Sequence, residues 1–124
     1  MAFSKEFCAF VIELLEPLGP VQSKRMFGGA GLYLDGTIFA LLFGDELYLK
    51  VDDQNREDFV AEGMEPFTPF EDGSTVLKSY HQCPAHLLDD PDDLCQWARA
   101  SWEAGRRVQA ANGKKGKKKK RSKS

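Results

Sequence analysis

Three apolar runs joined by two-residue turns constrain the fold of this chain more than any other feature. The runs are GLYL (31–34), TIFALLF (37–43) and ELYLKV (46–51), separated by Asp35-Gly36 and Gly44-Asp45. They are rich in the β-branched and aromatic residues that favour strands. Connections of this type also suit the positive φ angles of tight hairpin turns. The segment therefore predicts an antiparallel three-stranded meander.

The middle run is apolar at every position except its first, so both faces of the predicted strand are apolar. Alternation places Phe39, Leu41 and Phe43 on one face, opposite Ile38, Ala40 and Leu42. A strand with one face in water should alternate with polar residues, so the second face must be covered by more of this chain or by another copy. Phe39, Leu41 and Phe43 are accordingly predicted as interface residues of a homodimer, with a place in the core as the alternative.

Three further segments have helical patterns, and one more has the pattern of a strand. The helices are predicted near the N-terminus, over 51–63 and over 87–107, and the strand over 74–82. Ser4 is the predicted N-cap of the first helix. Asp52 or Asp53 is predicted to cap the start of the second helix, and Gly63 to end it. The third helix is predicted to have Asp90 as its N-cap and Pro91 as its first residue. This order predicts an α+β fold. Its antiparallel sheet consists of the meander plus one or two further strands and is flanked by N- and C-terminal helices and a short middle helix.

The net charge of −2 conceals two parts of opposite sign. Residues 112–124 read NGKKGKKKKRSKS, with eight Lys or Arg and no acid, whereas 9 of the 17 basic residues and all 19 acids lie in residues 1–111, a net charge of −10. The last segment has no apolar residue to support folding, and its like charges repel. We therefore expect a folded domain over 1–111 and a disordered basic tail over 112–124.

The basic tail is the predicted nucleic-acid-binding segment. Flexible cations neutralise phosphates and release counterions, which gives affinity without sequence specificity. The tail has no aromatic residue with which to stack on bases. The alternative is a solvated tail that improves solubility or folds back on the acidic domain. The residues predicted to contact nucleic acid are Lys114, Lys115, Lys117, Lys118, Lys119, Lys120, Arg121 and Lys123.

The glycine-rich stretch RMFGGAGLYLDG (25–36) does not match a phosphate-binding loop. A P-loop requires GxxxxGK[ST] before a helix, and a dinucleotide fingerprint requires GxGxxG before a helix. Here Gly28, Gly29 and Gly31 lead into a strand and a turn, with no such lysine. The glycines instead predict a bulge, a bend or a close approach of backbones.

Other groups of reactive side chains lack the spacing that their chemistry needs. His81, Cys83, His86 and Cys95 carry donors suitable for zinc but match no established zinc spacing. Cys83 with His81 has no evident orienting carboxylate or oxyanion loop. Helix capping accounts for the acidic cluster, which lacks the closing Glu of an EF-hand; its members are Asp89, Asp90, Asp92 and Asp93. We therefore predict no catalytic residue, metal or cofactor.

The sequence also predicts a cytoplasmic protein with no membrane partner. No apolar run approaches the length of a membrane span, and the N-terminal apolar stretch contains acidic residues, unlike a signal peptide. The three cysteines are odd in number and lack CxxC spacing, so reduced thiols are expected.

Several separated blocks resemble the N-terminal domain of the TfoX/Sxy family. They are RMFGGAGLYLDGTIFALL, DELYLKVDDQNREDFVAEGMEPF and SYHQCPAHLLDDPDDLCQWARAS, and the resemblance covers about residues 4 to 105. It implies an α+β fold and a non-enzymatic role. Full-length members resemble regulators of natural competence that act with the cyclic-AMP receptor protein at promoters. Such regulators carry a second, C-terminal DNA-associated domain, whereas this sequence has the basic tail instead.

Two functions of different class follow from these observations. The first is a TfoX-like accessory regulator, transcriptional or competence-related, that contacts a protein partner through its folded domain and nucleic acid through its tail. The second is a protein-interaction or homodimerisation module without a nucleic-acid function.

Overall fold

The computed structural model describes residues 4–26, 28–68 and 77–120, excluding the side chains of residues 26, 77 and 112–120. Six strands form one antiparallel sheet, and three α-helices accompany it, which confirms the predicted α+β fold. The helices are α1 (Lys5–Leu14), α2 (Arg56–Ala61) and α3 (Pro91–Lys120). The strands are β1 (Gln22–Met26), β2 (Gly29–Leu34), β3 (Thr37–Phe43), β4 (Glu46–Lys50), β5 (Pro66–Phe67) and β6 (Leu77–Gln82).

The strands are arranged in the order β1-β2-β3-β4-β6-β5. The predicted meander is confirmed as β2, β3 and β4, with each strand antiparallel to the next. Its turns have the expected backbone, because Asp35 (φ 52°), Gly36 (φ 78°) and Gly44 (φ 58°) all occupy the left-handed region. The meander is therefore determined largely by local turn chemistry.

The sequence did not specifically identify β1. This strand reads QSKRM, lies at the edge of the sheet and pairs along its whole length with β2. The predicted strand over 74–82 is β6, although residues 74–76 lie outside the described residues. A polar edge strand lacks the apolar alternation that identifies a central one, so its pairing partner specifies it instead.

The predicted N-caps are confirmed for α1 and α3 and wrong for α2, whereas Gly63 follows the last turn of α2 with a φ of +76°, as predicted for the residue that ends this helix. The Phe7 amide donates to Ser4 Oγ at 3.2 Å, and the Asp93 amide donates to Asp90 Oδ1 at 3.3 Å. Helix α2 begins later than expected, with Asn55 at its N-cap position and no side-chain cap. Asp52 lies outside this helix, and its carboxylate accepts hydrogen bonds from the Gln54 amide and from Arg107 of α3.

The main core lies between the sheet and the helices. It includes Val11 of α1, Phe59 of α2 and Leu94 of α3, together with Leu42 and Leu49 of the sheet. All five side chains are at most 1% exposed. Since α3 also packs across β3 and β4, the three helices cover one face of the sheet, which we call the helix-covered face.

Polar contacts at Trp102 and Gln109 attach the middle of α3 to the sheet. Trp102 Nε1 donates to the carbonyl of Leu34 at 2.8 Å, and Thr37 Oγ1 donates to Gln109 Oε1 at 2.7 Å. Helix α3 extends to Lys120, past residue 111. The division of the chain into a domain over 1–111 and a disordered tail stays a prediction.

Close approach explains Gly29, whereas backbone conformation explains Gly28. A Cβ on Gly29 would lie 2.1 Å from the Leu42 carbonyl oxygen and 2.5 Å from the ring of Phe43. Gly28 has open space around it but a φ of +79°, which favours glycine. The glycine-rich stretch therefore allows close packing of the strands at this position. This agrees with the prediction that its glycines serve a bend or a close approach of backbones.

Candidate binding surface on the sheet

A β-bulge at Phe39 corrects the predicted faces of β3. Leu32 pairs with Ala40 and the next residue, Tyr33, pairs with Ile38, so Phe39 is an extra residue in β3. The bulge places Phe39 in the main core at 0% exposure, away from Leu41. The prediction that Phe39 shares a face with Leu41 and Phe43 is therefore wrong; Ile38 takes its place.

The surface opposite the helices, which we call the open face, has its own small cluster built only from strand residues. Leu41, Phe67 and Tyr80 are buried there, and Ile38, Phe43 and Tyr48 pack against them while remaining partly exposed. This cluster partly meets the expectation that the second apolar face of β3 is covered, because Phe67 of the same chain lies against it. By strand pairing the face also includes Lys24, Gly31, Tyr33, Glu46, Lys50, Lys78 and Gln82.

Aromatic rings form the centre of the open face. Phe67 lies 4.3 Å from Tyr48 and 5.1 Å from Phe43 between ring centroids. Burial and the Glu46 carboxylate raise the pKa of Tyr48, and burial raises the pKa of Tyr80 to about 12. Both hydroxyls therefore stay protonated near neutral pH and can donate hydrogen bonds.

Two lysines lie on the rings of this face. Lys24 Nζ is 5.0 Å from the centre of the Tyr33 ring, and Lys50 Nζ is 4.8 Å from that of Tyr80. Among the described residues, neither lysine has a carboxylate within ion-pair distance. Burial also lowers the pKa of Lys50, because water solvates its ammonium only in part. The open face therefore combines π surfaces with cations that are available to an anion.

The four side chains that were weighed as zinc donors have separate partners. His81 Nδ1 lies 3.1 Å from the Met64 carbonyl, and His86 Nε2 lies 3.1 Å from Glu62 Oε1. Within residues 4–26, 28–68 and 77–120, no three His, Cys, Asp or Glu side chains are close enough to share a metal. The remaining two, Cys83 and Cys95, direct their sulfurs at the carbonyls of Pro84 and Leu14.

Cys83 lacks the environment of a nucleophile. Burial raises the pKa of its thiol to about 12, whereas an activated cysteine has a lowered pKa.

The acidic cluster has a structural role at Asp90, which caps α3, while Asp92 and Asp93 lie in the first turn of that helix. Acids at these positions interact favourably with the helix dipole.

The tail residues predicted to contact nucleic acid cannot be placed as side chains. Lys114 to Lys120 belong to α3 by their backbone, and their side chains lie outside the described part of the chain. Arg121 and Lys123 lie outside it altogether. Their binding role stays a prediction.

Sequence reasoning missed four members of the open face, which are the partly exposed Tyr33, Tyr48 and Lys50 and the exposed Lys24. A signal was present in β4, where Glu46, Tyr48 and Lys50 alternate with Leu47 and Leu49. That alternation indicates an amphipathic strand, but only the sheet order shows that its tyrosine lies beside those of β2 and β6.

In the part of the chain that the structure describes, no helix combines the length and apolarity needed to cross a bilayer.

Comparison with known proteins gives two matches. The model of the TfoX N-terminal domain family matches residues 13–105. The chain is also 27% identical over 92 residues to Protein Sxy of Escherichia coli (strain K12). That match covers 74% of this chain and 44% of the length of Sxy, so the chain spans less than half of this relative.

Proposed function

Because this chain belongs to the TfoX N-terminal domain family, we propose that it is a non-enzymatic accessory regulator of transcription, related to competence and acting in the cytoplasm. The family match over residues 13–105 carries this proposal. The Sxy match is consistent with it, although it covers 44% of that relative. In this proposal the folded domain contacts a protein of the transcription machinery, and the tail contributes affinity for nucleic acid.

The chemistry of the described residues supports a role without catalysis. Cys83 is held protonated by its raised pKa, and His81 is buried with Nδ1 against a backbone carbonyl. The bidentate ion pair of Arg107 with Asp52 joins α3 to the segment after β4. Its two hydrogen bonds of 2.6 Å and 2.9 Å are structural, since they fasten a helix to the core.

Nucleic-acid contact through the tail follows from its charge. Eight cations and no acids lie in residues 112–124 of a chain whose remainder has a net charge of −10. The acidic domain would repel a duplex, so the tail is the proposed contact for double-stranded DNA. Such binding depends steeply on salt, with log K falling by about 0.9 per phosphate contact for each tenfold rise in salt.

A salt titration of duplex binding tests the tail directly. We expect the full chain to bind a 20-base-pair duplex at low salt, and a full-length variant with all eight tail cations changed to Gln to lose this affinity. Lys5→Gln is the matched control, because Lys5 is an exposed cation on α1. Equal affinity of the tail variant and the wild type would remove nucleic-acid contact through the tail.

Genome-wide occupancy tests the regulatory role itself. The full chain should be enriched at promoters, and the tail variant should lose part of that enrichment while keeping its protein contacts. An even distribution of the wild type along the chromosome would contradict a transcriptional role.

A homodimerisation module is the second candidate, favoured by the partly exposed apolar side chains of the open face. Leu41 and Phe43 of the predicted interface lie there, whereas Phe39 is fully buried in the main core. The interface would therefore use Ile38 in place of Phe39. Sedimentation over a wide concentration range tests this candidate, and a monomer at the highest concentration would exclude it.

A further inference from the structure

We infer that the open face is a platform for single-stranded nucleic acid, on which bases stack against Tyr33 and Tyr48 while Lys24 and Lys50 contact phosphates. The site is separate from the tail and goes beyond the proposed function. It binds unpaired bases by stacking, whereas the tail contacts any polyanion.

The strand register brings the required groups together in two neighbouring rows. In one row Lys24, Gly31, Leu41, Tyr48 and Gln82 lie directly across from one another on β1, β2, β3, β4 and β6. In the next row Tyr33 is opposite Ile38, and Lys50 is opposite Tyr80. Five strands at about 4.8 Å spacing give a surface about 19 Å wide. A four-stranded sheet of this kind accommodates two or three stacked bases in other RNA-binding folds.

The exposed rings supply surfaces for stacking without sequence preference. Tyr33, Phe43 and Tyr48 are partly exposed, in contrast to the fully buried rings of the main core. Base–aromatic stacking depends on the π face alone, so every base can use it. The rings are also supported from the side, since Tyr48 packs on Phe67 and the Phe43 ring lies against Gly29. A supported ring loses little conformational entropy when a base binds.

Charge distinguishes a nucleic acid from a second copy of the chain as the partner. Among the described strand residues, the open face carries Lys24, Lys50 and Lys78 against one acid, Glu46, although residues 1–111 have a net charge of −10. Two copies meeting through this face would bring six lysines together, which is unfavourable. A phosphate backbone would instead neutralise them and replace part of the hydration that Lys50 has lost.

Binding of a fluorescent dT12 strand tests this site in the full-length chain. We expect Tyr33→Leu with Tyr48→Leu to weaken dT12 affinity by at least about tenfold. The affinity for a duplex of the same length should not change, because paired bases offer no free face. Phe10→Leu is the control, since Phe10 is an exposed ring on α1, 43% accessible. Unchanged dT12 affinity in the folded double variant would overturn the inference.

The lysines provide an independent test if the tyrosine variant does not fold. Lys24→Gln with Lys50→Gln should lower the slope of log K against log salt for dT12 by about 1.4, at about 0.7 per phosphate on a single strand. Lys5→Gln should leave the slope unchanged. An unchanged slope in the lysine variant would overturn the inference. The inference would also be overturned if the wild-type chain formed a dimer that Tyr33→Leu with Tyr48→Leu dissociates and that added dT12 does not dissociate.

The tail variant separates this inference from the proposed function. With its eight cations changed to Gln, the chain should lose duplex binding. In this background, Tyr33→Leu with Tyr48→Leu should still weaken the affinity for dT12. Loss of that sensitivity would show that single strands bind only through the tail and would overturn the inference, whatever the outcome of the duplex titration.

Discussion

The two faces of the sheet are built from neighbouring residues of the same strands and differ in what covers them. Leu42 and Leu49 lie under the helices in the main core, whereas the preceding residues, Leu41 and Tyr48, lie in a cluster made only of strand side chains. The first face is buried and apolar, with Phe39 among its aliphatic residues, and the second combines tyrosines with lysines. The comparison shows that an apolar strand alone does not identify a core, because the covering elements decide which face remains available for binding.

Truncation on the two faces of β4 should have the most unequal effects on stability. Leu49→Ala removes a side chain that is 0% exposed, and we expect a loss of about 2–5 kcal/mol in the free energy of unfolding. Tyr48→Leu, one residue away on the partly exposed face, should cost about 1 kcal/mol or less. Urea denaturation measures both. Similar losses would show that the open face is as tightly packed as the core.

Glycine substitutions should reveal how closely the strands approach beneath the open face. Gly29→Ala forces a Cβ to within 2.1 Å of a backbone oxygen unless the strands shift, and we expect a loss of about 2–3 kcal/mol. Gly28→Ala meets no atom within 4 Å and strains only the backbone, at about 1 kcal/mol. Thermal melts rank the two variants. Stabilisation of the wild type by a nucleotide would contradict the structural role of this stretch.

The Asp52–Arg107 pair should contribute to the helix-covered face in a pH-dependent way. The hydrogen bonds from Arg107 lower the pKa of Asp52, and we expect Asp52→Asn to cost about 1 kcal/mol at pH 7. Because the folded pKa is depressed, this contribution is present above the unfolded pKa and is lost as pH falls through the folded value. Stability of both proteins measured from pH 7 to pH 2 should therefore converge at acid pH.

The exposed pair Arg56–Asp53 is the control for that measurement. Its aspartate side chain is 98% accessible, whereas that of Asp52 is 19% accessible. Arg56→Gln should change stability by less than about 0.5 kcal/mol. A larger effect than that of Asp52→Asn would contradict the assignment of Asp52 as the residue that fastens α3.

Local signals made the helices, the meander and the family resemblance predictable from sequence. Asp35 and Gly36 adopt the turn backbone that their chemistry favours, and Ser4 and Asp90 cap helices as expected. The bulge at Phe39 was not predictable, because an extra residue in one strand is defined only by its pairing with the next. The binding surface was missed for a related reason, since it depends on which face the helices cover.

Methyl NMR of the full-length chain with dT12 tests the assignment of different roles to the two faces most directly. Leu41 and Leu42 are adjacent in β3 and belong to opposite clusters, and Ile38 of β3 and Leu49 of β4 also belong to opposite clusters. We expect the methyl signals of Ile38 and Leu41 to shift on titration with the single strand, while those of Leu42 and Leu49 remain in place. Unchanged methyl signals for Ile38 and Leu41 at saturation with dT12 would contradict the account.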